Sequence, residues 1–284
     1  MTCSSTDERT TSGLPRHGEQ ATRTQYHDDG NLNARIALHA RFSTNPYGWQ
    51  RWIFDAITPV DDARVLELGC GPGTLWSANH QRIPTTCDIT LTDFSPGMVQ
   101  AARRNLQAPS GCLRFAVVDA QAIPFDCAVF DVAIANHMLY HVRDRRQALE
   151  EIARVLKRGG ALFATTVGET HMQELWALVE PFVPGISARS NTASRPFTLE
   201  NGIAQLSTVF DDVQRYDYVD DLEVTEVEPI IAYLKSTMTF GALANDVCLQ
   251  KIRQRVTAQI RSVGAFHIHK SSGLLTARRR AGGQ

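Results

Sequence analysis

Between Val65 and Leu75 the chain reads VLELGCGPGTL, a strand-like apolar run that breaks into Gly69, Gly71 and Gly73 just before a helix-like segment. Glycines at alternate positions let the backbone turn sharply and approach a ligand closely, and amides at the start of the helix favour a negative group. The Gly-x-Gly-x-Gly spacing departs from the Gly-x-Gly-x-x-Gly fingerprint of dinucleotide sites, which weighs against hydride chemistry.

The segment opens a run of strand–helix alternation. Strands are expected at RVLELG (64–69), DITLTD (88–93), RFAVVD (114–119), FDVAIA (130–135) and GALFATTV (160–167). Their near-continuous apolar character suits parallel strands covered by helices on both faces. Ser95 and Pro96 are good start chemistry for the helix after DITLTD. A helix over 144–157 has Asp144 as its cap, Leu149, Ile152, Val155 and Leu156 as its buried stripe, and Lys157-Arg158-Gly159 as its close. Upstream, Leu32, Ile36 and Ala40 recur at helical spacing, and Trp49, Ile53, Ala56 and Ile57 mark one face of a second helix. On this reading the Trp49/Trp52 pair belongs to the core.

After residue 167 the rhythm changes. THMQELWALVEPFV and FTLENGIAQLSTVF read as helices, VQRYDYVDDLEV as a strand, and residues 226–262 as mostly helical. AFHIHKSSGLLTAR alternates like a final strand, with a bulge or turn expected at its Ser-Ser-Gly. The expected organisation is a disordered leader over 1–24, N-terminal cap helices over 25–59, and a core over 60–167. The remainder, 168–284, completes the sheet, with helical cap insertions at about 168–196 and 226–262.

Three acids follow the glycine pattern in order. Glu67 lies inside the first strand, Asp93 ends the second, 20 residues after Gly73, and Asp119 ends the third. A carboxylate at the second position accepts hydrogen bonds from ribose hydroxyls, and one at the third accepts from an adenine amino group. Acids at three successive strand ends make one rim of a nucleoside site.

The bulk numbers narrow the class. The 284 residues carry a formal charge of −1, which supplies no general attraction to nucleic acid or anionic membrane. No apolar run approaches the roughly 20 residues needed to span a bilayer, and the polar N-terminus lacks the apolar core of a signal peptide. The six cysteines are scattered without a Cys-x-x-Cys pair, so they read as reduced thiols of a cytoplasmic protein. His267 and His269 lack a third ligand nearby in sequence; no metal site is expected.

ELGCGPG, LTDFSPGM, VVDAQAIPF, FDVAIANHMLYHV and RVLKRGGALFA resemble, in this order, the successive motifs of class I S-adenosylmethionine-dependent methyltransferases, particularly the small-molecule group similar to ubiquinone/menaquinone-biosynthesis enzymes. The resemblance covers about residues 60–167. It implies an α/β, Rossmann-like seven-stranded sheet in the order 3-2-1-4-5-7-6, mostly parallel, with the last strand antiparallel. It implies S-adenosyl-L-methionine as cofactor. Gly69, Gly71 and Gly73 would flank its methionine part, with Glu67 near the amino group. Asp93 would bind ribose, and Phe94 and Met98 would pack near adenine. Asp119 would receive the adenine amino group beside Ala120 and Gln121. Asn136 and His137 would lie near the sulfonium.

Such an enzyme aligns a nucleophile with the methyl group and excludes water. Candidate bases or substrate contacts are His137, Tyr140 and His141 in the NHMLYHV loop, with Tyr26 and His39 upstream. The aromatic Tyr26 also suits a sulfonium through cation–π attraction. The expected partner is a small-molecule methyl acceptor accepting at O, N or C, as in secondary metabolism, with neither nucleic acid nor membrane involved. Two rivals stand beside this reading. A nucleic-acid methyltransferase would carry Asn/Asp-Pro-Pro-aromatic where this chain has Asn-His-Met-Leu. A cofactor-binding protein that does not methylate would keep the same glycines and acids.

Overall fold

The computed structural model describes residues 30–58, 61–106, 112–187, 196–241 and 245–281. The 1–24 leader and Tyr26 lie outside the described residues.

Seven strands form one sheet: β1 (Arg64–Leu68), β2 (Asp88–Asp93), β3 (Leu113–Val117), β4 (Phe130–Asn136), β5 (Leu156–Val167), β6 (Phe210–Val224) and β7 (Phe266–Arg279). Their order is β3-β2-β1-β4-β5-β7-β6. Strands β1 to β5 run parallel, and β7 is antiparallel to both β5 and β6. The expected fold class and strand order are both present.

Side chains alternate across β1 and so divide the core. Leu66 and Leu68 face Ala133, Ala135, Leu149 and Ile152, while Val65 faces Ile53, Ile89 and Trp76. Helices α1 (Gly30–Phe42), α2 (Trp49–Ile57), α3 (Thr74–Ala78), α4 (Pro96–Asn105) and α5 (Arg145–Val155) precede or alternate with the parallel strands. Ser95 Oγ accepts from Met98 N to cap α4, with Pro96 at its first position, and Asp144 accepts from Gln147 N to cap α5.

Four sequence expectations shift. Helix α5 stops at Val155, and Leu156 already pairs with Phe130, so Lys157-Arg158-Gly159 belong to β5. Val129 N donates to Val155 O, which commits the chain there to the sheet. FTLENGIAQLSTVF is helical only over α7 (Gly202–Leu206), and its end is already β6. Ser271-Ser272-Gly273 carry no bulge, because Ser272 and Gly273 pair in register with β5 on one side and β6 on the other. The register shift lies instead between Asp211 and Gln214. Ala56 is exposed rather than on the buried face of α2.

The remaining helices are α6 (Gln173–Val179), α8 (Val227–Ser236), α9 (Met238–Gly241) and α10 (Asp246–Val263). Leu38 of α1, Leu175 of α6, Ile231 of α8 and Ile252 of α10 meet Leu222 and Ile268 in a second core. Segments far apart in sequence thus share one apolar interior at the extended ends of β6 and β7. Thr44 N donates to Asp221 O and Asn45 Nδ2 to Val219 O, fastening the chain after α1 to β6. Cys70, Cys87, Cys112 and Cys248 are free, whereas Cys127 is disulfide-bonded, which corrects the all-thiol reading.

Gly273 lies where β7 is paired on both edges, and a Cβ there would stand 2.5 Å from Tyr216 O and 3.1 Å from Leu199 Cδ2. Gly273→Ala is expected to cost about 2 kcal/mol or more, as backbone crowding in a buried strand does. Urea unfolding reads this as a lower midpoint at constant slope; an unchanged midpoint would mean the β6–β7 pair yields without cost.

Candidate active site

The glycine loop is held from below. Gly69, Gly71 and Gly73 all have positive φ, at 69°, 53° and 78°. Cys70 N donates to Thr92 O at 2.9 Å, Gly73 N to Cys70 O at 3.0 Å, and Gly71 N to Asp93 Oδ2 at 2.9 Å. Asp93 Oδ1 accepts from Ser95 N at 2.8 Å. Each Asp93 oxygen therefore holds one backbone amide and retains a lone pair. Burial raises the Asp93 pKa despite these two bonds.

The three glycines do different things. A Cβ on Gly69 would come within 2.7 Å of Met138 Cβ, so Gly69 lets the loop after β4 lie against it. Gly73 stands back from the cavity and packs on α4, where a Cβ would meet Leu106 Cδ1 at 2.7 Å. Gly71 has open space on its Cβ side and lines the cavity.

Glu67 shares the face of β1 that carries Val65 and is 2% exposed. Its Oε2 accepts from Trp76 Nε1 at 2.5 Å and its Oε1 from Asn136 Nδ2 at 3.0 Å. Burial nevertheless lifts its pKa from 4.5 to about 7; the two bonds oppose the rise and Asp93 adds to it. Glu67 thus links β1 to α3 and to the end of β4.

These residues border a cavity of about 1090 Å³. Phe94 and Met98 lie on its wall after β2, and Asp119, Ala120 and Gln121 on its wall after β3. Gln121 turns back on Asp119: its backbone N donates at 2.9 Å and its Nε2 at 3.1 and 3.2 Å.

Asn136, His137, Tyr140 and His141 line the cavity beyond β4. His137 sits at φ 48°, and its N lies 3.0 Å from Thr165 Oγ1 and 3.2 Å from Thr165 O. A left-handed non-glycine residue stores strain that its surroundings must hold, and such residues concentrate at functional sites. The imidazole faces Trp49 with ring centroids 5.3 Å apart. Tyr140 bridges His137, at 6.3 Å, and the exposed His141, at 4.5 Å.

Trp49 and Trp52 pack against the core around Ile53 and Trp76, as expected, and Trp49 has a second role. It stacks on Trp52 at 5.4 Å but also lines the cavity. Its place on an apolar helix face marks the core contact, and only the path of the chain past β4 adds the cavity. Sequence reasoning missed His171, Asp220, Lys270 and Ser272, which line the same cavity from the segment before α6 and from the β6–β7 pair; Tyr233 of α8 lines it as well. His39 joins them. Burial, then Lys270, lowers its pKa from 6.5 to about 3, so it is neutral near pH 7 and a poor base.

Among known proteins, residues 66–164 match the family model described as a methyltransferase domain. A malonyl-[acyl-carrier protein] O-methyltransferase of Salmonella typhimurium is 35% identical over 121 residues, which is 42% of this chain and 45% of that one. A demethylmenaquinone methyltransferase of Clavibacter sepedonicus is 34% identical over 114 residues, 40% of this chain and 45% of that one. The chain thus spans about half the length of the curated relatives it matches. Among solved structures, the [4+2]-cyclase SpnF superposes with a TM-score of 0.57 at 18% identity, covering 95% of this chain and 100% of that one. At that identity the likeness concerns the fold.

The raised Glu67 pKa fixes a pH dependence. At the acid end Glu67 is protonated in both folded and unfolded chains and costs nothing. Between pH 4.5 and about 7 the folded chain keeps the proton that the unfolded chain has lost, so stability falls as pH rises. Above that range the full penalty, about 3 kcal/mol, is present. Glu67→Gln should flatten the fall in Tm between pH 5 and 8; an unaltered pH profile would remove Glu67 as its source.

Proposed function

We propose that this chain transfers the methyl group of S-adenosyl-L-methionine to a small-molecule acceptor, releasing S-adenosylhomocysteine. The observation that carries the reading is the single wall made by the glycine loop, Asp93 and Asp119 at three neighbouring strand ends of a cavity of about 1090 Å³. The donor set fits the cofactor. Asp93 keeps lone pairs for ribose hydroxyls, Asp119 and Gln121 offer hydrogen-bonding groups to the adenine edge, and Phe94 and Met98 supply apolar surface. The open side of Gly71 leaves room for the methionine part.

When bound, the cofactor supplies an electrophilic methyl carbon and a sulfonium leaving group. The protein's share is alignment and exclusion of water. Glu67, bonded to Trp76 and Asn136, holds Asn136 and the loop, and each of its oxygens keeps a lone pair on the cavity side for the cofactor's ammonium. His137, fixed by Thr165, and Trp49 present flat faces towards the reacting region. His141, exposed beside Tyr140, is the candidate base, because an imidazole in contact with solvent can take up a proton and pass it on. Tyr26, with its expected site role, belongs to the same proposal.

The cap segments, 25–59, 168–196 and 226–262, choose the acceptor on this reading. A small metabolite suits a cavity lined by Trp49, His171 and Tyr233 of these segments better than a nucleic acid does, and the formal charge of −1 offers no phosphate-tracking surface. A cytoplasmic place in secondary metabolism accords with this proposal. Among the described residues no helix is long and apolar enough to cross a membrane.

Calorimetric titration with S-adenosylmethionine and S-adenosylhomocysteine tests the cofactor site. Micromolar binding is expected, weakened at least tenfold (about 1.4 kcal/mol) in Asp93→Ala; equal affinities would sink the ribose assignment. With an acceptor in hand, His141→Ala should lower kcat by two orders of magnitude or more while cofactor affinity holds. A wild-type rate would remove His141 as base.

A further inference from the structure

Part of the cavity wall comes from α1, α8 and the β6–β7 pair rather than from the strand ends that carry the glycine loop. From Tyr218 onward β6 alternates inward and outward, placing Tyr218, Asp220 and Leu222 on the buried face. Asp220 pairs in register with Lys270 of β7, and their side chains form a buried ion pair, 1% and 7% exposed. The Asp220 carboxylate also accepts from Ser43 Oγ at 2.7 Å and Asn45 N at 3.1 Å. Its acceptor capacity is thus largely used within the protein.

Lys270 is different. An ammonium has three N–H donors, and Asp220 is the only hydrogen-bond partner of Lys270 Nζ among the described residues. The cavity-facing ammonium therefore keeps donor capacity while its charge is cancelled by Asp220. Beside it, the His39 ring borders the cavity, and its Nδ1 meets no hydrogen-bond partner among the described residues. His171 stacks near His39 with centroids 6.4 Å apart, and Tyr233 meets it edge-on at 6.2 Å. Arg35, also on the wall, directs its guanidinium to Ser236.

Three constraints follow for a ligand here. Lys270 is already neutralised and the Arg35 guanidinium is engaged by Ser236, so a phosphate or other dianion would have to draw a cation away from its present partner. Asp220 is committed to Lys270, Ser43 and Asn45, so an ammonium would have to compete with Lys270 for it here. The aromatic rings favour a flat apolar body, and the unspent hydrogen-bonding groups favour one polar oxygen on it.

We propose that this part of the cavity is the acceptor subsite and takes an uncharged ring compound by a hydroxyl or carbonyl oxygen, received by Lys270 and His39. The proposal rests on the methyltransferase reading for the word acceptor, but its chemistry is tested apart from turnover. The neutral His39 imidazole and the Lys270 ammonium act here as positioning groups.

The test uses the full chain saturated with S-adenosylhomocysteine and three probes of one ring size: 1-naphthol, 1-naphthyl phosphate and 1-naphthylmethylammonium. Binding is followed by calorimetry. The proposal expects 1-naphthol to bind at least tenfold tighter than either charged probe. His39→Phe keeps the ring and removes its nitrogens, and should weaken 1-naphthol several-fold. Lys270→Met alone would strand a buried carboxylate, so it is paired with Asp220→Asn, and the double variant should lose tenfold or more. Both variants should keep the wild-type affinity for S-adenosylhomocysteine, which reports that they are folded. A charged probe bound as tightly as 1-naphthol, no effect of either variant, or no binding by any probe would overturn the proposal. Failure of the unaltered protein to bind S-adenosylhomocysteine would instead strike the methyltransferase reading, so the two failures are told apart.

Discussion

The buried carboxylate of Glu67 ties together parts of the molecule that are remote in sequence. It is set on β1, receives the indole N–H of Trp76 from the turn after the glycine loop, and receives the amide of Asn136 from the end of β4. A carboxylate in such surroundings is stable only if its lone pairs are engaged and its desolvation is tolerated. Burial alone pushes it towards the protonated form. Everything nearer the cavity hangs from that junction: the loop whose glycines turn left-handed, and the strand end that aims His137.

The second organising feature is the long antiparallel pair β6–β7. Its outer half leans on β5 and completes the sheet, while its extension reaches past the parallel strands and carries the cap core. One pair of strands therefore serves two interiors. The parallel half supplies the strand ends that carry the glycine loop, Asp93 and Asp119. The extension supplies Asp220 and Lys270, and the fastening of residues 44 and 45 to β6 draws α1 over the cavity.

Legibility from sequence followed the range of the interactions. The glycine loop and its acids were readable because each sits at a strand end defined by its immediate neighbours, and the strand order followed from the resemblance those motifs carry. The Asp220–Lys270 pair was not readable. Its two residues lie 50 apart, separated by the helices between β6 and β7, and no local pattern states the register that brings them together. The cavity-lining side of Trp49 was not readable because periodicity reports which face of a helix is apolar, not that one edge of a core side chain also meets a cavity. The end of α5 was overrun because Leu156 continues a helical stripe, yet sheet pairing with Phe130 takes its backbone.

The closeness of Met138 to Gly69 has an implication for ligand binding as a whole. With no side chain on Gly69, the loop carrying His137, Tyr140 and His141 rests directly on the turn that faces the proposed cofactor site. Both the turn and the loop face one cavity. A ligand that displaced the turn would have to move Met138 with it, and any coupling between two ligands that arose in this way would by linkage be mutual.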